Sequence, residues 1–221
     1  MFNKSMLCPL LIMLVIAAPP AFADSTTKPY VGVTIGTPLT SINKLSDSSG
    51  SLNTDSNPGY LAGLAAGVRF DSWESWNIEK IRMEAEVGYR SSELIRLKNA
   101  QGLSSDVSGK VTVTNFMING YLENTSMLSQ DLPVIIFLTA GAGAAMASID
   151  SITYRGATLV AAASDTQLAY QGGFGAGYEL TKHLTLDASY KYLGTTEFKF
   201  AGIKAQYGSH NILLGARYLF K

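Results

Sequence analysis

Residues 79–92 read Glu-Lys-Ile-Arg-Met-Glu-Ala-Glu-Val-Gly-Tyr-Arg-Ser-Ser, and apolar and polar side chains alternate along most of this stretch. The apolar set is Ile81, Met83, Ala85, Val87 and Tyr89, and the set between them is Arg82, Glu84, Glu86, Gly88 and Arg90. Successive side chains of a β-strand point to opposite faces, so the alternation predicts a strand with one apolar and one ionic face. A helix, with its period of 3.6 residues, would mix the two sets.

The same two-residue period recurs outside this stretch, and the chain as a whole holds about eight such strands, the smallest usual number for a transmembrane β-barrel. The other alternating segments are 30–36, 60–70, 115–123, 136–143, 170–179, 184–192 and 211–220. The connections alternate in length, with short ones at 71–78, 124–131 and 181–183 and long polar ones at 38–58, 93–109, 147–167 and 197–207. Short turns at one rim and long loops at the other are typical of an up-and-down barrel whose long loops face the outside.

The first segment has the pattern of a secretory signal peptide. Lys4 precedes an apolar run over Leu7–Ala18, and Ala21-Phe22-Ala23 supplies the small residues of a cleavage site. The alternative is a retained membrane anchor, but a run of 12 residues is short of the ~20 that a spanning helix needs. We therefore predict cleavage of residues 1–23, with residues 24–221 forming a single barrel domain.

Composition excludes several classes of protein. The 17 basic and 17 acidic side chains balance, so there is no basic face to indicate a nucleic-acid partner. A single cysteine excludes internal disulfides and thiolate-rich metal clusters. No convergent set of ligands predicts a metal or cofactor site.

The charged faces of the predicted strands decide which side of the barrel is the inside. They carry five cations and five anions, namely Arg69, Arg82, Arg90, Lys191, Arg217, Glu84, Glu86, Glu123, Glu179 and Asp187. On a soluble barrel these would be solvated surface charges, but the same faces are rich in glycine, which weakens exposed strands. Inside a narrow barrel, glycine leaves room for long side chains to meet. We therefore predict an all-β, eight-stranded antiparallel up-and-down transmembrane β-barrel, with these ten residues forming a structural ion network in its lumen.

Several short motifs extend this interpretation. They are Tyr30-Val31-Gly32-Val33, Gly67-Val68-Arg69-Phe70, Asn119-Gly120-Tyr121, Leu184-Thr185-Leu186-Asp187 with Tyr190-Lys191-Tyr192, and the closing Leu214-Gly215-Ala216-Arg217-Tyr218-Leu219-Phe220. In this order the chain resembles the small outer-membrane β-barrel family that includes opacity-type surface proteins and the membrane domain of outer membrane protein A. The resemblance implies an integral protein of the bacterial outer membrane that serves envelope integrity or surface adhesion through its long loops.

The resemblance also implies partners. These are outer-membrane lipid and lipopolysaccharide, a host or surface ligand for the loops, and the barrel-assembly machinery, which in this family reads a C-terminal aromatic residue. Tyr218 and Phe220 are the corresponding assembly signal here, although Lys221 follows Phe220 and departs from the family pattern.

The search for catalytic chemistry centres on Ser209 and His210, since some small outer-membrane barrels modify lipid A with a Ser–His pair. Neighbouring residues of a strand point to opposite faces, so these two side chains cannot meet. Glu84 and Glu86 share a face, as a glycosidase pair does, but so do Arg82 and Arg90, which favours ion pairing. We predict no catalytic residues. A low-conductance channel stays open as the alternative function, with a lipid A-modifying enzyme as a further one.

Overall fold

The computed structural model describes residues 27–47, 50–56, 59–71, 79–98, 104–125, 133–150, 152–154, 157–160, 162–200 and 203–220. The predicted signal peptide, residues 1–23, lies outside these ranges. Regular structure in the described part consists of twelve β-strands: β1 (Thr27–Asp47), β2 (Gly50–Ser56), β3 (Tyr60–Phe70), β4 (Lys80–Lys98), β5 (Ser104–Asn124), β6 (Val134–Ile149), β7 (Ile152–Tyr154), β8 (Ala157–Val160), β9 (Ala163–Glu179), β10 (Leu184–Thr195), β11 (Phe198–Phe200) and β12 (Ile203–Leu219). No helix within these ranges is long and apolar enough to cross a membrane.

Eight of the strands close into a ring of antiparallel neighbours, in the order β1, β3, β4, β5, β6, β9, β10, β12 and back to β1. The first and last strands complete the ring, in a register that runs from Tyr30 opposite Leu219 to Ser46 opposite Lys204. Each strand otherwise pairs with the strands before and after it in the chain. The predicted eight-stranded up-and-down barrel is confirmed.

The four remaining strands extend the rim from which the predicted long loops arise. β2 pairs with both β1 and β4, β7 pairs with β5 and β8, and β11 folds back onto β12. The prediction that 38–58, 93–109, 147–167 and 197–207 are loops is therefore wrong for most of their described residues, which are strand. The alternation of apolar and polar residues stops in these segments of the sequence, but the backbone ladder does not need an apolar face to continue.

Side-chain exposure places the apolar face outside and the polar face inside. Val33, Leu64 and Leu138 are 54%, 62% and 60% exposed, whereas Arg82 and Glu123 are 2% and 0% exposed. A soluble barrel would show the reverse arrangement. Glycine residues leave space for the larger interior side chains. At Gly141, for example, a β-carbon would lie 2.0 Å from Asn119 Oδ1.

A closed ring leaves no strand edge for an unfolding agent or another chain to pair with. We therefore expect the folded protein to resist dodecyl sulfate at room temperature, so that an unboiled sample migrates faster on a gel than a boiled one. Circular dichroism in detergent should be dominated by β-structure. Equal mobility of the two samples together with a helical spectrum would contradict the closed barrel.

Candidate functional site in the barrel interior

Glu84 stands at the centre of the polar interior. Its Oε2 accepts hydrogen bonds from the Tyr30 hydroxyl at 2.7 Å and from Arg82 Nη1 at 3.1 Å. Its Oε1 accepts from the Tyr121 hydroxyl at 2.7 Å and from Asn119 Nδ2 at 3.3 Å. Both carboxylate oxygens therefore find donors, as a buried charge requires.

Glu123 links two arginines below this centre. Its Oε1 accepts from Arg82 Nε at 2.7 Å and from Arg217 Nη1 at 3.2 Å. Arg217 also forms a bidentate ion pair with Asp187, in which Nε donates to Oδ2 at 2.5 Å and Nη2 donates to Oδ1 at 2.9 Å. The Arg82 guanidinium lies 3.6 Å from the centre of the Tyr121 ring, a cation–π contact that adds to the ion pairs.

Glu86 organises the layer above. Its Oε2 accepts from Lys191 Nζ at 2.9 Å and also from Asn119 Nδ2 and Gln171 Nε2. Lys191 donates in addition to the Tyr121 hydroxyl at 3.0 Å. Tyr121 therefore joins the Glu84 and Glu86 clusters into one network.

The rim formed by the short turns carries a looser group of charges. Asp71, in the turn after β3, pairs with Lys28 at 2.5 Å and Arg69 at 2.7 Å. Glu179 lies 3.6 Å from Arg69 and 3.7 Å from Lys80. Partial burial acts to raise the pKa of Asp71, but hydrogen bonds and attraction from Arg69 and Lys28 outweigh it and hold that pKa below its usual value of 3.8.

A lowered carboxyl pKa predicts a specific response to acid. The stabilisation from the Asp71 ion pairs is fully present above the unfolded-state pKa and is lost as pH falls through the lower folded-state pKa. At pH 7 we expect the Asp71→Asn variant to unfold at lower urea than the wild type in lipid vesicles. The two midpoints should converge as pH falls below 3.8. A constant difference between them across this range would contradict the assignment.

Arg90 differs from the other predicted network residues. The remaining nine each make at least one ion pair with a described residue. Arg90 instead donates from Nη1 to the neutral Asn115 Oδ1 at 2.8 Å. Its Nε and the Asn115 Nδ2 are buried and have no hydrogen-bond partner.

Two parts of the interior were not predicted from the sequence. The first is a set of neutral hydrogen-bonding side chains, Tyr30, Asn119, Tyr121 and Gln171, which the inward parity of their strands could have indicated. The second is an apolar cluster in the outer half of the barrel, formed by Val111, Val113, Met117, Ala145, Ala147, Ala169, Leu193, Phe198, Ala205 and Tyr207. Met117, an apolar residue on a polar face, is the one sequence signal for it.

The serine and the histidine considered for catalysis stay apart. Ser209 is fully buried and donates to Asn211 Oδ1 at 2.8 Å. His210 lies on the opposite face, where its Nδ1 bonds the Tyr190 hydroxyl at 2.5 Å. Within the described ranges no three His, Cys, Asp or Glu side chains are grouped to hold a metal ion.

The predicted assembly residues lie on the outer surface near the short-turn rim. Tyr218 and Phe220 are 48% and 44% exposed, and their rings meet edge to face with centres 5.3 Å apart. The Tyr218 ring also stacks on His183, with centres 6.0 Å apart.

A small cavity lies beside the ionic network. On one side it is lined by the short side chains and backbone of Gly32, Thr34, Ala65 and Gly215, and on the other by Arg82, Glu84, Lys191 and Arg217. The apolar cluster occupies the interior between this layer and the long-loop rim.

Comparisons with known proteins agree with this geometry. A family model described as an outer membrane protein beta-barrel domain matches residues 8–220. A candidate adhesin of Rickettsia canadensis is 28% identical over 129 residues, which cover 53% of this chain and 55% of that protein. Outer membrane protein PagN of Salmonella typhimurium is 25% identical over 146 residues, which cover 61% of this chain and 56% of that protein. The matched part thus spans little more than half the length of these curated relatives.

Among solved structures, Neisserial surface protein A is 21% identical, with a TM-score of 0.50 over 87% of this chain and 97% of that chain. At this identity the likeness supports the fold alone.

Proposed function

The chain belongs to the family of outer membrane protein β-barrel domains, and from that premise we propose that it is a non-enzymatic surface protein whose outer rim adheres to a ligand outside the cell. It is an integral protein of the outer membrane. The barrel anchors the chain, and the extended strands above the apolar belt present the ligand-binding surface.

The proposal rests on the structure of the outer rim, where the strands continue beyond the apolar belt and are packed from inside. The strands continue there as a paired ladder, with β2, β7, β8 and β11 added to it. The apolar cluster fills the same end of the barrel from inside, with Phe198 and Leu193 at 1% and 0% exposed. Such packing holds the rim in one shape, which lowers the entropy that a binding surface loses when it meets its ligand. The name of one curated relative, a candidate adhesin, supports the same role, and the name of the other, an outer membrane protein, supports only the location.

The other partners in this proposal are those that the family resemblance implies. Outer-membrane lipid and lipopolysaccharide contact the apolar belt, and the barrel-assembly machinery reads Tyr218 and Phe220. Residues 1–23 direct export and are removed.

The experiment is adhesion of bacteria that express the protein to a cultured epithelial monolayer. Deletion of β2, or of β7 together with β8, leaves the ring of eight strands intact and should reduce adhesion while surface labelling shows unchanged amounts of protein. The Lys182→Gln variant, altered at an exposed side chain of the opposite rim, is the matched control and should adhere like the wild type. Undiminished adhesion with both deletions would overturn the proposal.

The cavity beside the network favours a narrow channel as a second candidate function. Measurements of ion conductance across planar bilayers separate the two functions. A channel should give discrete steps in current, whereas a barrel filled by side chains should give none. Unchanged lipid A masses in expressing cells would support the absence of lipid-modifying activity, and new masses would contradict it.

A further inference from the structure

The upper layer of the interior holds more positive than negative charge. Arg90 and Lys191 are its cations, and Glu86 is the carboxylate between them on the same network. Glu86 Oε2 already accepts from Lys191 at 2.9 Å and from two side-chain amides. No carboxylate of a described residue lies within 4.0 Å of the Arg90 guanidinium.

Burial makes this excess charge costly. Arg90 is 3% exposed and Asn115 is 0% exposed. An arginine does not lose its proton inside a protein, and an unpaired buried cation strongly destabilises a fold. Among the described residues no carboxylate contacts the Arg90 guanidinium, and an anion from elsewhere would supply the missing contact.

The two unsatisfied atoms of the Arg90–Asn115 pair are both donors. Arg90 Nη1 is engaged with Asn115 Oδ1 at 2.8 Å, which fixes the orientation of the amide. The atoms left without partners are Arg90 Nε and Asn115 Nδ2, both N–H groups. Gly88 lets the amide approach its strand, since a β-carbon there would lie 2.5 Å from Asn115 Oδ1. Two buried N–H groups, one of them on a cation, select an acceptor that carries negative charge.

Apolar side chains lie next to the Arg90–Asn115 pair on the side of the long-loop rim. Arg90 is opposite Val113 in the β4–β5 register, and Val113 belongs to the apolar cluster. Apolar side chains on the outer side lower the local polarity, which strengthens the attraction between Arg90 and an anion. We propose that Arg90 and Asn115 bind a small inorganic anion, such as chloride, inside the barrel at the boundary between the ionic network and the apolar cluster.

This inference does not depend on adhesion, and it is tested by unfolding in urea in phospholipid vesicles. Sodium chloride is compared with sodium gluconate at equal ionic strength, because gluconate is a much larger anion whose charge is less concentrated than that of chloride. The wild type should unfold at higher urea in chloride. Once chloride exceeds its dissociation constant, each further tenfold rise in its concentration should lower the unfolding constant about tenfold.

The variant that decides the question is Asn115→Asp, which is nearly isosteric and supplies Arg90 with a built-in carboxylate. It should lose the stabilisation by chloride while unfolding in gluconate at least as late as the wild type. The Lys182→Gln control removes an exposed cation and should keep the wild-type response. Equal wild-type midpoints in the two salts, or a full chloride response in Asn115→Asp, would overturn the site. Crystals soaked in bromide give a second readout, and an anomalous peak beside Arg90 Nε and Asn115 Nδ2 is expected.

Discussion

Replacing Glu123 by alanine is expected to lower the free energy of unfolding by about 3–5 kcal/mol. The Glu123 side chain is completely buried, and one of its oxygens accepts from both Arg82 and Arg217, at 2.7 and 3.2 Å. Alanine removes this shared acceptor and leaves a cavity between two guanidinium groups. Arg217 keeps its bidentate pair with Asp187, and Arg82 keeps Glu84, but the buried network loses one negative charge and retains both arginines, so one positive charge is left uncompensated.

Two controls separate charge from shape in this experiment. Glu123→Gln keeps the shape and one oxygen acceptor, so it should cost less than alanine. Glu93→Ala removes an exposed carboxylate from the neighbouring strand β4 and should change the free energy of unfolding by no more than about 0.5 kcal/mol. Urea unfolding in lipid vesicles measures all three. If Glu123→Ala unfolds at the wild-type midpoint, the ionic network does not stabilise the barrel.

The sequence alone points to different residues for this test. From the strand parity, Glu86 and Arg90 are equivalent members of the network to Glu123. In the structure the Glu86 side chain is 14% exposed and also accepts from two amides, so its removal should cost less than that of Glu123. Arg90 contacts no carboxylate of a described residue, so its removal leaves no carboxylate without a partner. Parity assigns a side chain to the lumen, but it does not say which side chain it will meet there.

Partner choice was beyond prediction because it depends on contacts across the barrel. Glu123 meets an arginine 41 residues away and another 94 residues away in sequence. These pairings are set by the register of the strands and by the closure between β1 and β12. A two-residue alternation specifies neither the register nor the closure. By contrast, the alternation itself is local, and for this reason the eight strands of the ring and the direction of their faces were predictable.

The outer end of the barrel was predicted least well for a related reason. An apolar belt outside and charges inside produce the alternating signal, and above the belt this contrast disappears. Val111, Val113 and Ala147 point inward there, but Val111 and Val113 lie between a predicted loop and a predicted strand, and Ala147 begins a predicted loop. The strands nevertheless continue, because their ladder of backbone hydrogen bonds is satisfied whatever the side chains are.

The second large loss of stability is expected from placing a charge in the lipid-facing belt. Leu214 is 59% exposed on the outer face of β12, midway between His210 and Tyr218, whose aromatic neighbours mark the two ends of the belt. An arginine at the middle of the bilayer cannot reach water without distorting the lipid, so Leu214→Arg should cost about 2–4 kcal/mol. The same measurement of unfolding in vesicles applies, together with the yield of the heat-resistant folded form.

Depth, rather than exposure, should decide the size of this effect. Gln206 lies on the same strand with the same outward parity, but beyond His210 towards the long-loop rim, and it is also exposed. Near the interface the cost of an arginine falls to about 0–1 kcal/mol, so Gln206→Arg should behave almost as the wild type. Leu214→Met, which keeps an apolar side chain at the same depth, should be tolerated as well. A soluble barrel would accept arginine equally at both positions, because water would surround each of them. Equal tolerance of Leu214→Arg and Gln206→Arg would therefore contradict the placement of this face in lipid, whatever the shape of the barrel.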